Sequence, residues 1–171
     1  MTLTRIIKYL SLLMISGIMI FGCSYSFTGA SLPPHIKTIY IQPFADKSGS
    51  GEPFLSDNLT NELISLFVDD GNLTIVTSGN ADSKLSGSIS QLKDRAETIT
   101  GENITARKVT IRVKAVYMDL VKRKKVFDKT FTAFSNYDNS ASDITQARND
   151  AINDALNQIA EDITLAVIAR W

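Results

Sequence analysis

Hydrophobic positions in this chain recur at two spacings, and the switches between them mark its elements. Residues 36–44 alternate, with Ile39 and Ile41 on one side and Thr38 and Gln42 on the other, which predicts a strand closed by Pro43 and the polar run 46–51. Pro53 suits a first helical turn. Leu55, Leu59, Leu63, Leu66 and Phe67 then recur at three- and four-residue steps as far as Gly71, the pattern of a helix with one apolar stripe. A short apolar strand at residues 73–76 completes a strand-helix-strand unit, expected to be parallel with a right-handed crossover.

Alternation returns at residues 80–91, where Leu85, Gly87 and Ile89 point one way and Lys84, Ser86, Ser88 and Ser90 the other. Residues 94–103 are polar and less regular. The longest strand is predicted at 105–121, with Val109, Ile111, Val113, Ala115 and Tyr117 against Thr110, Arg112 and Lys114. Residues 122–125 turn the chain into a second strand, 126–137, with Phe127, Phe131 and Ala133 inward, so the pair forms a long antiparallel hairpin with a basic tip. A last helix starts near Asp143, with Gln146 in a capping-box-like position. Ile144, Ala147, Ala151, Ile152, Ala155, Leu156, Ile159, Ile163, Ala166 and Val167 form its stripe, over ~40 Å at ~1.5 Å per residue. The order β-α-β-β-β-β-α predicts an α+β fold, with two helices packed on one face of a mixed, mostly antiparallel β-sheet.

Ahead of this pattern lies a different kind of segment. Arg5 and Lys8 form a cationic head, and residues 9–21 are almost wholly apolar, ending at Gly22-Cys23. An apolar run of about a dozen residues is short of the ~20 that span a bilayer as a helix, so residues 1–22 read as an export signal. Ile20-Phe21-Gly22-Cys23 resembles a bacterial lipobox, with Phe21 bulkier than the usual residue there. That resemblance implies a diacylglyceryl group on the Cys23 thiol and a fatty acyl chain, such as palmitate, on the new amine. Two or more acyl chains at ~0.8 kcal/mol per buried CH₂ make a permanent anchor. Ser24 stands where an inner-membrane retention signal has Asp, so the implied destination is the outer membrane, on its periplasmic side. Residues 23–35, with Pro33-Pro34, read as an extended lipidated tether, and residues 36–171 as one domain.

Composition narrows the function further. Lys and Arg balance Asp and Glu at 18 each, and loss of Arg5 and Lys8 with the signal leaves two net negative charges, which argues against a nucleic-acid binder. With Cys23 acylated no thiol remains for a disulfide or a metal site. His35, the sole histidine, sits at the edge of the tether outside any apparent pocket, and no Asp or Glu lies in an apolar stretch, so neither a catalytic set nor a cofactor site is expected. Asp69-Asp70 reads as a solvated helix end. Gly49-Ser50-Gly51, between a strand and a helix N-terminus, reads as a loop, since Phe54 holds the third glycine position of a phosphate-binding run. The Asn-x-Thr triplets at Asn58, Asn72 and Asn103 carry no message in a bacterial lipoprotein. Lys122, Arg123, Lys124 and Lys125 stand apart, flanked by Arg112, Lys114 and Lys129. Two readings stay open for them: a solvated turn that discourages edge pairing, and an anion site.

Several segments, taken in order, resemble the LPS-assembly lipoprotein LptE family. They are Cys23 followed by Tyr25-Ser26-Phe27, then Ser31-Leu32-Pro33-Pro34-His35-Ile36-Lys37-Thr38-Ile39, then Ala81-Asp82-Ser83-Lys84-Leu85-Ser86-Gly87-Ser88-Ile89. Tyr117-Met118-Asp119-Leu120 before the basic turn and Tyr137 after the second strand continue the likeness. The resemblance implies a non-enzymatic protein that plugs the lumen of the outer-membrane barrel LptD, assists its assembly, and helps place lipopolysaccharide in the outer leaflet. Its lipopolysaccharide contacts are basic residues near one end of the sheet, for which Lys122, Arg123, Lys124 and Lys125 are candidates by charge and location. A second likeness, at residues 58–76 after an Ile-x-Pro-Phe strand, is to periplasmic lipoproteins of the curli-secretion and synthase-activator type, which oligomerise or stimulate a cell-wall enzyme.

Overall fold

A computed structural model describes residues 32–77, 79–100 and 103–169; the segment expected to be an export signal, Cys23 and the expected tether as far as Ser31 lie outside the described residues. In chain order the elements are β1 (Thr38–Ile41), β2 (Ala45–Asp46), α1 (Leu55–Asp70), β3 (Thr74–Ile75), β4 (Ser83–Thr100), β5 (Asn103–Asp119), β6 (Lys124–Asp138) and α2 (Ile144–Ile168). The sheet runs β3-β1-β4-β5-β6, with β2 also on β4. β1 is parallel to β3 and β4, while β4, β5 and β6 form long antiparallel pairs. The predicted strand-helix-strand unit is present, since Thr38 and Ile39 pair in parallel with Thr74 and Ile75.

Both helices pack against the sheet and against each other. α1 contributes Leu55, Leu59, Leu63 and Phe67 to the core, as its stripe predicts, while Leu66 is only partly covered. α2 contributes Ala151, Ile152, Ala155, Leu156, Ile159, Ile163 and Val167. Its buried band also takes in Ala160 and Thr164, whereas Ile144 stays exposed. The capping box is half made: Asp143 Oδ1 accepts the Gln146 N–H at 2.9 Å, but the Gln146 side chain turns to Asp150. Helix α1 begins at Leu55 rather than Pro53, because Phe54 adopts a left-handed conformation, φ 68°, that no helix continues through.

β4 does not stop where its alternation fades. Antiparallel pairing with β5 continues from Lys93↔Thr110 to Thr100↔Asn103, so a backbone ladder carries the strand where side-chain pattern does not. A register shift between Ile89 and Gln91 changes its parity. Leu85 and Ile89 face the core before it and Leu92 packs against the core after it, and two further shifts, between Ala96 and Thr98 and between Thr98 and Ile99, make residues 94–103 look irregular in sequence. β4 is therefore the longest strand, and the turn into β6 is residues 120–123, with Lys124 and Lys125 already paired to Asp119 and Met118. β2 has two exposed residues and leaves no hydrophobic signal.

Gly87 faces Phe44, which is buried to 1% exposure. A Cβ there would lie 2.3 Å from the Lys114 carbonyl oxygen and 2.4 Å from Phe44 Cε1, so only glycine lets the ring close onto β4 and β5. The Phe44 N–H donates to Thr60 Oγ1 at 3.0 Å, and the Ser56 hydroxyl donates to the Phe44 carbonyl. These contacts tie the start of α1 to the segment between β1 and β2.

Candidate functional site: the tether end of the sheet

β1 and β4 begin at one end of the sheet, where β5 ends and β6 begins. The register Ile39↔Ser83, Ser83↔Asp119 and Asp119↔Lys124 lays them side by side. Two carboxylates fasten this end. Asp82 Oδ2 accepts the Lys37 and Thr38 N–H groups, both at 3.0 Å, and the Thr38 hydroxyl at 2.9 Å. The Lys37 N–H, then the Thr38 hydroxyl, hold this carboxyl below the usual carboxylate range. Asp119, with a side chain only 3% exposed, accepts the Lys122 N–H at 2.8 Å on Oδ1 and contacts His35 Nε2 at 2.8 Å on Oδ2. Burial pushes its carboxyl up, but the Lys122 N–H and His35 outweigh this and leave it lowered.

His35 is thus not isolated at the edge of the tether, as its sequence position suggests. It closes on an acid 84 residues away and pins the last residues of the tether to the hairpin tip. The Leu120 N–H donates to the Asp82 carbonyl at 2.8 Å, joining the tip to the start of β4 as well. The sequence carries a signal for Asp119: an acid at the first position of a four-residue turn, three before Lys122. For Asp82 the signal is fainter, an acid one residue ahead of a strand.

Lys122, Arg123, Lys124 and Lys125 are all exposed. Lys125 pairs with Asp128 at 3.0 Å, and Lys114 reaches the same carboxylate at 3.3 Å. Asp128 is held below its ordinary value by Lys125 first and Lys114 next. A register shift between Tyr117 and Met118 makes this pairing possible: Val126 is the extra residue, so Lys125 stands opposite Met118. Lys122, Arg123 and Lys124 are in no ion pair among the described residues, although the charge of Lys122 helps to lower Asp119. Arg123 takes the left-handed conformation, φ 53°, at the apex. Arg112 and Lys114 are exposed as expected, and Lys129 borders a cleft with Phe131, Asp162 and Leu165.

The far end of the sheet is built differently. Asp94 accepts Arg107 Nε at 2.9 Å on Oδ1, and Arg148 Nε and the Tyr137 hydroxyl, each at 2.9 Å, on Oδ2. Arg148 also reaches Glu52 at 2.7 Å. Burial pushes the Asp94 carboxyl up, and the bonds from Tyr137, Arg107 and Arg148 bring it below the usual range. This cluster ties β4, β5, β6 and α2 to the loop before α1. No sequence pattern marks it, because the shift at Ile89 is what turns Asp94 toward Arg148.

Other candidates resolve simply. Asp69 and Asp70 are exposed at the end of α1. In the Gly49-Ser50-Gly51 loop the Ser50 N–H goes to Ser48 Oγ and the Glu52 N–H to Ser50 Oγ, so those donors are engaged within the loop. Among the described residues no group of His, Cys, Asp and Glu is placed to hold a metal ion, and no helix is long and apolar enough to cross a membrane.

Solved structures with this fold include a protein of Xanthomonas campestris, 18% identical, with a TM-score of 0.58 over 78% of this chain and 86% of that one. Rare lipoprotein B of Shewanella oneidensis is 12% identical, with a TM-score of 0.54 over 76% and 92%. PelC of Paraburkholderia phytofirmans, solved as a dodecamer, is 14% identical, with a TM-score of 0.51 over 83% and 95%. At these identities the likeness is one of fold. No curated protein matches the chain. A sequence model of the family described as LptE, lipopolysaccharide-assembly, matches residues 36–167, which takes in every element from β1 to nearly the end of α2. The chain belongs to the LptE family of lipopolysaccharide-assembly proteins.

Proposed function

We propose that this protein is an outer-membrane lipoprotein, anchored through acylated Cys23 on the periplasmic side, that plugs the LptD barrel, assists its assembly and helps deliver lipopolysaccharide to the outer leaflet. The family match over residues 36–167 carries the reading. The open face of the sheet fits a water-lined lumen. It presents Lys84, Ser86, Ser88, Arg112, Lys114 and Thr132, opposite the face that the helices cover. Lys122, Arg123, Lys124 and Lys125 are the proposed contacts to lipid A or core phosphates. Three of them are in no ion pair among the described residues, so a phosphate need not break an ion pair of the fold to reach them. Arg123 offers a planar fork to two phosphate oxygens, and the lysines act as point charges.

The test is to purify the C-terminally tagged protein from outer membranes in mild detergent and measure what accompanies it. A large barrel protein at one-to-one is the expected result. Self-oligomers or a cell-wall synthase, with no barrel, would move the assignment to the synthase-activator class.

A further inference from the structure

The hairpin tip carries more than charge. Leu120 is 38% exposed and Val121 56% exposed, immediately before Lys122, Arg123 and Lys124. An apolar pair next to three exposed cations that form no ion pair among the described residues is the composition of a segment that lies at a membrane surface, with its apolar side chains among acyl chains and its cations at the phosphates. Among the described residues toward the far end, exposed Phe134 lies under the Lys108 ammonium, 4.6 Å from the ring centre, and Arg107 and Arg148 face carboxylates, while Arg95 is exposed.

The second observation is where the tip sits relative to the anchor. Asp119 binds His35 on one oxygen and the Lys122 N–H on the other, so the tether emerges from the domain beside the tip. Only residues 24–31 separate Cys23 from Leu32, and a fully extended stretch of that length reaches roughly 30 Å. Acyl chains on Cys23 would therefore hold this end, and not the far end, next to the leaflet in which they are embedded.

We infer that residues 120–124 form a docking foot for the phosphate-bearing surface of the leaflet that holds the anchor, with Leu120 and Val121 entering it and Lys122, Arg123 and Lys124 resting on anionic headgroups. This rests on the acylation of Cys23 proposed above and adds a second attachment to it. Each Lys or Arg at an anionic surface favours binding by ~1 kcal/mol, so the three together raise partition on the order of a hundredfold. The foot would restrict the tilt of the domain, since anchor and tip would then hold the same end of the sheet at the leaflet.

The test uses the full-length acylated protein carrying Trp171→Phe and Val121→Trp, reconstituted in vesicles of phosphatidylcholine with phosphatidylglycerol, some bearing bromine on the acyl chains. The foot predicts blue-shifted indole emission quenched by the bromolipid and relieved by salt. Phe134→Trp, ten residues further along β6 than Lys124 and so about 30 Å away, is predicted to be unquenched. Leu120→Trp provides a second reporter. Equal quenching in pure phosphatidylcholine, unaffected by Lys122→Ser, Arg123→Ser and Lys124→Ser together, would overturn the role of the cations. Absence of quenching, in a protein that still binds dispersed lipopolysaccharide through these cations, would overturn the foot and leave the lipopolysaccharide reading standing.

Discussion

Asp94 and Asp119 are both carboxylates drawn out of water, one toward each end of the same sheet, and they are satisfied by different donors. Asp94 collects two guanidinium groups and a phenol, and Glu52 takes the remaining reach of Arg148. Asp119 collects a backbone N–H and one imidazole. At the far end Arg107 and Arg148 are therefore occupied by the fold while Arg95 is exposed, whereas at the tether end the acids engage the backbone and His35, and Lys122, Arg123 and Lys124 stand in no ion pair among the described residues. The number of basic residues at an end of a sheet says little about ligand binding; what matters is how many the fold leaves over.

The largest effect that separates the ends is expected from Asp94→Ala. It leaves Arg107 and Arg148 facing each other without their acid, and removing one partner of a largely covered pair costs roughly 2–4 kcal/mol, read as a lower urea midpoint. A loss below about 0.5 kcal/mol would show the far end to be as loosely held as an ordinary surface.

Acid titration distinguishes the ends next. Asp82, Asp94 and Asp119 all have lowered values in the folded chain, so each contributes stability that is present above its unfolded value near 3.8 and is lost as pH falls through its lower folded value. Asp119→Asn removes one such group. The fall in stability below about pH 4 is predicted to become shallower. An unchanged acid limb would mean that Asp119 titrates alike in folded and unfolded chains.

Smaller still is His35→Gln, which removes or weakens the contact to Asp119 and is expected to lower stability by about 1 kcal/mol. Amide exchange at residues 36–38 should rise with it, and exchange that stayed at the parent rate would show that Asp82 alone holds the tether end. Last, Lys122→Ser, Arg123→Ser and Lys124→Ser together are predicted to change stability by less than about 0.5 kcal/mol, since no ion pair among the described residues is broken and only the longer-range attraction of Lys122 to Asp119 is lost. A larger loss would place these cations in the fold rather than at a ligand.

Much of the architecture was legible because period-2 and period-3.6 patterns are written by burial: the stripes of both helices and the inner faces of β5 and β6 read directly. The parts that did not read share a cause. Register shifts at Ile89 and at Tyr117 change which side chains face inward, and no residue pattern announces an inserted residue. Asp94 was hidden by the first, and the strand membership of Lys124 and Lys125 by the second. The His35–Asp119 contact joins residues distant in sequence, so the tether appeared free until the sheet order placed it. The basic cluster itself was plain in sequence, but which of its members remain unpaired depends on Asp128, and that needed the register.

The most direct measurement is the affinity for purified lipopolysaccharide of two triple variants that remove equal charge from different places. One carries Lys122→Ser, Arg123→Ser and Lys124→Ser; the other carries Lys93→Ser, Arg95→Ser and Arg112→Ser, all exposed on the strands away from the tip. The tip variant is predicted to lose at least tenfold, with a reduced salt dependence, while the strand variant binds as the parent does. Equal losses in the two would mean that lipopolysaccharide senses only net charge, and would contradict a site at the tip.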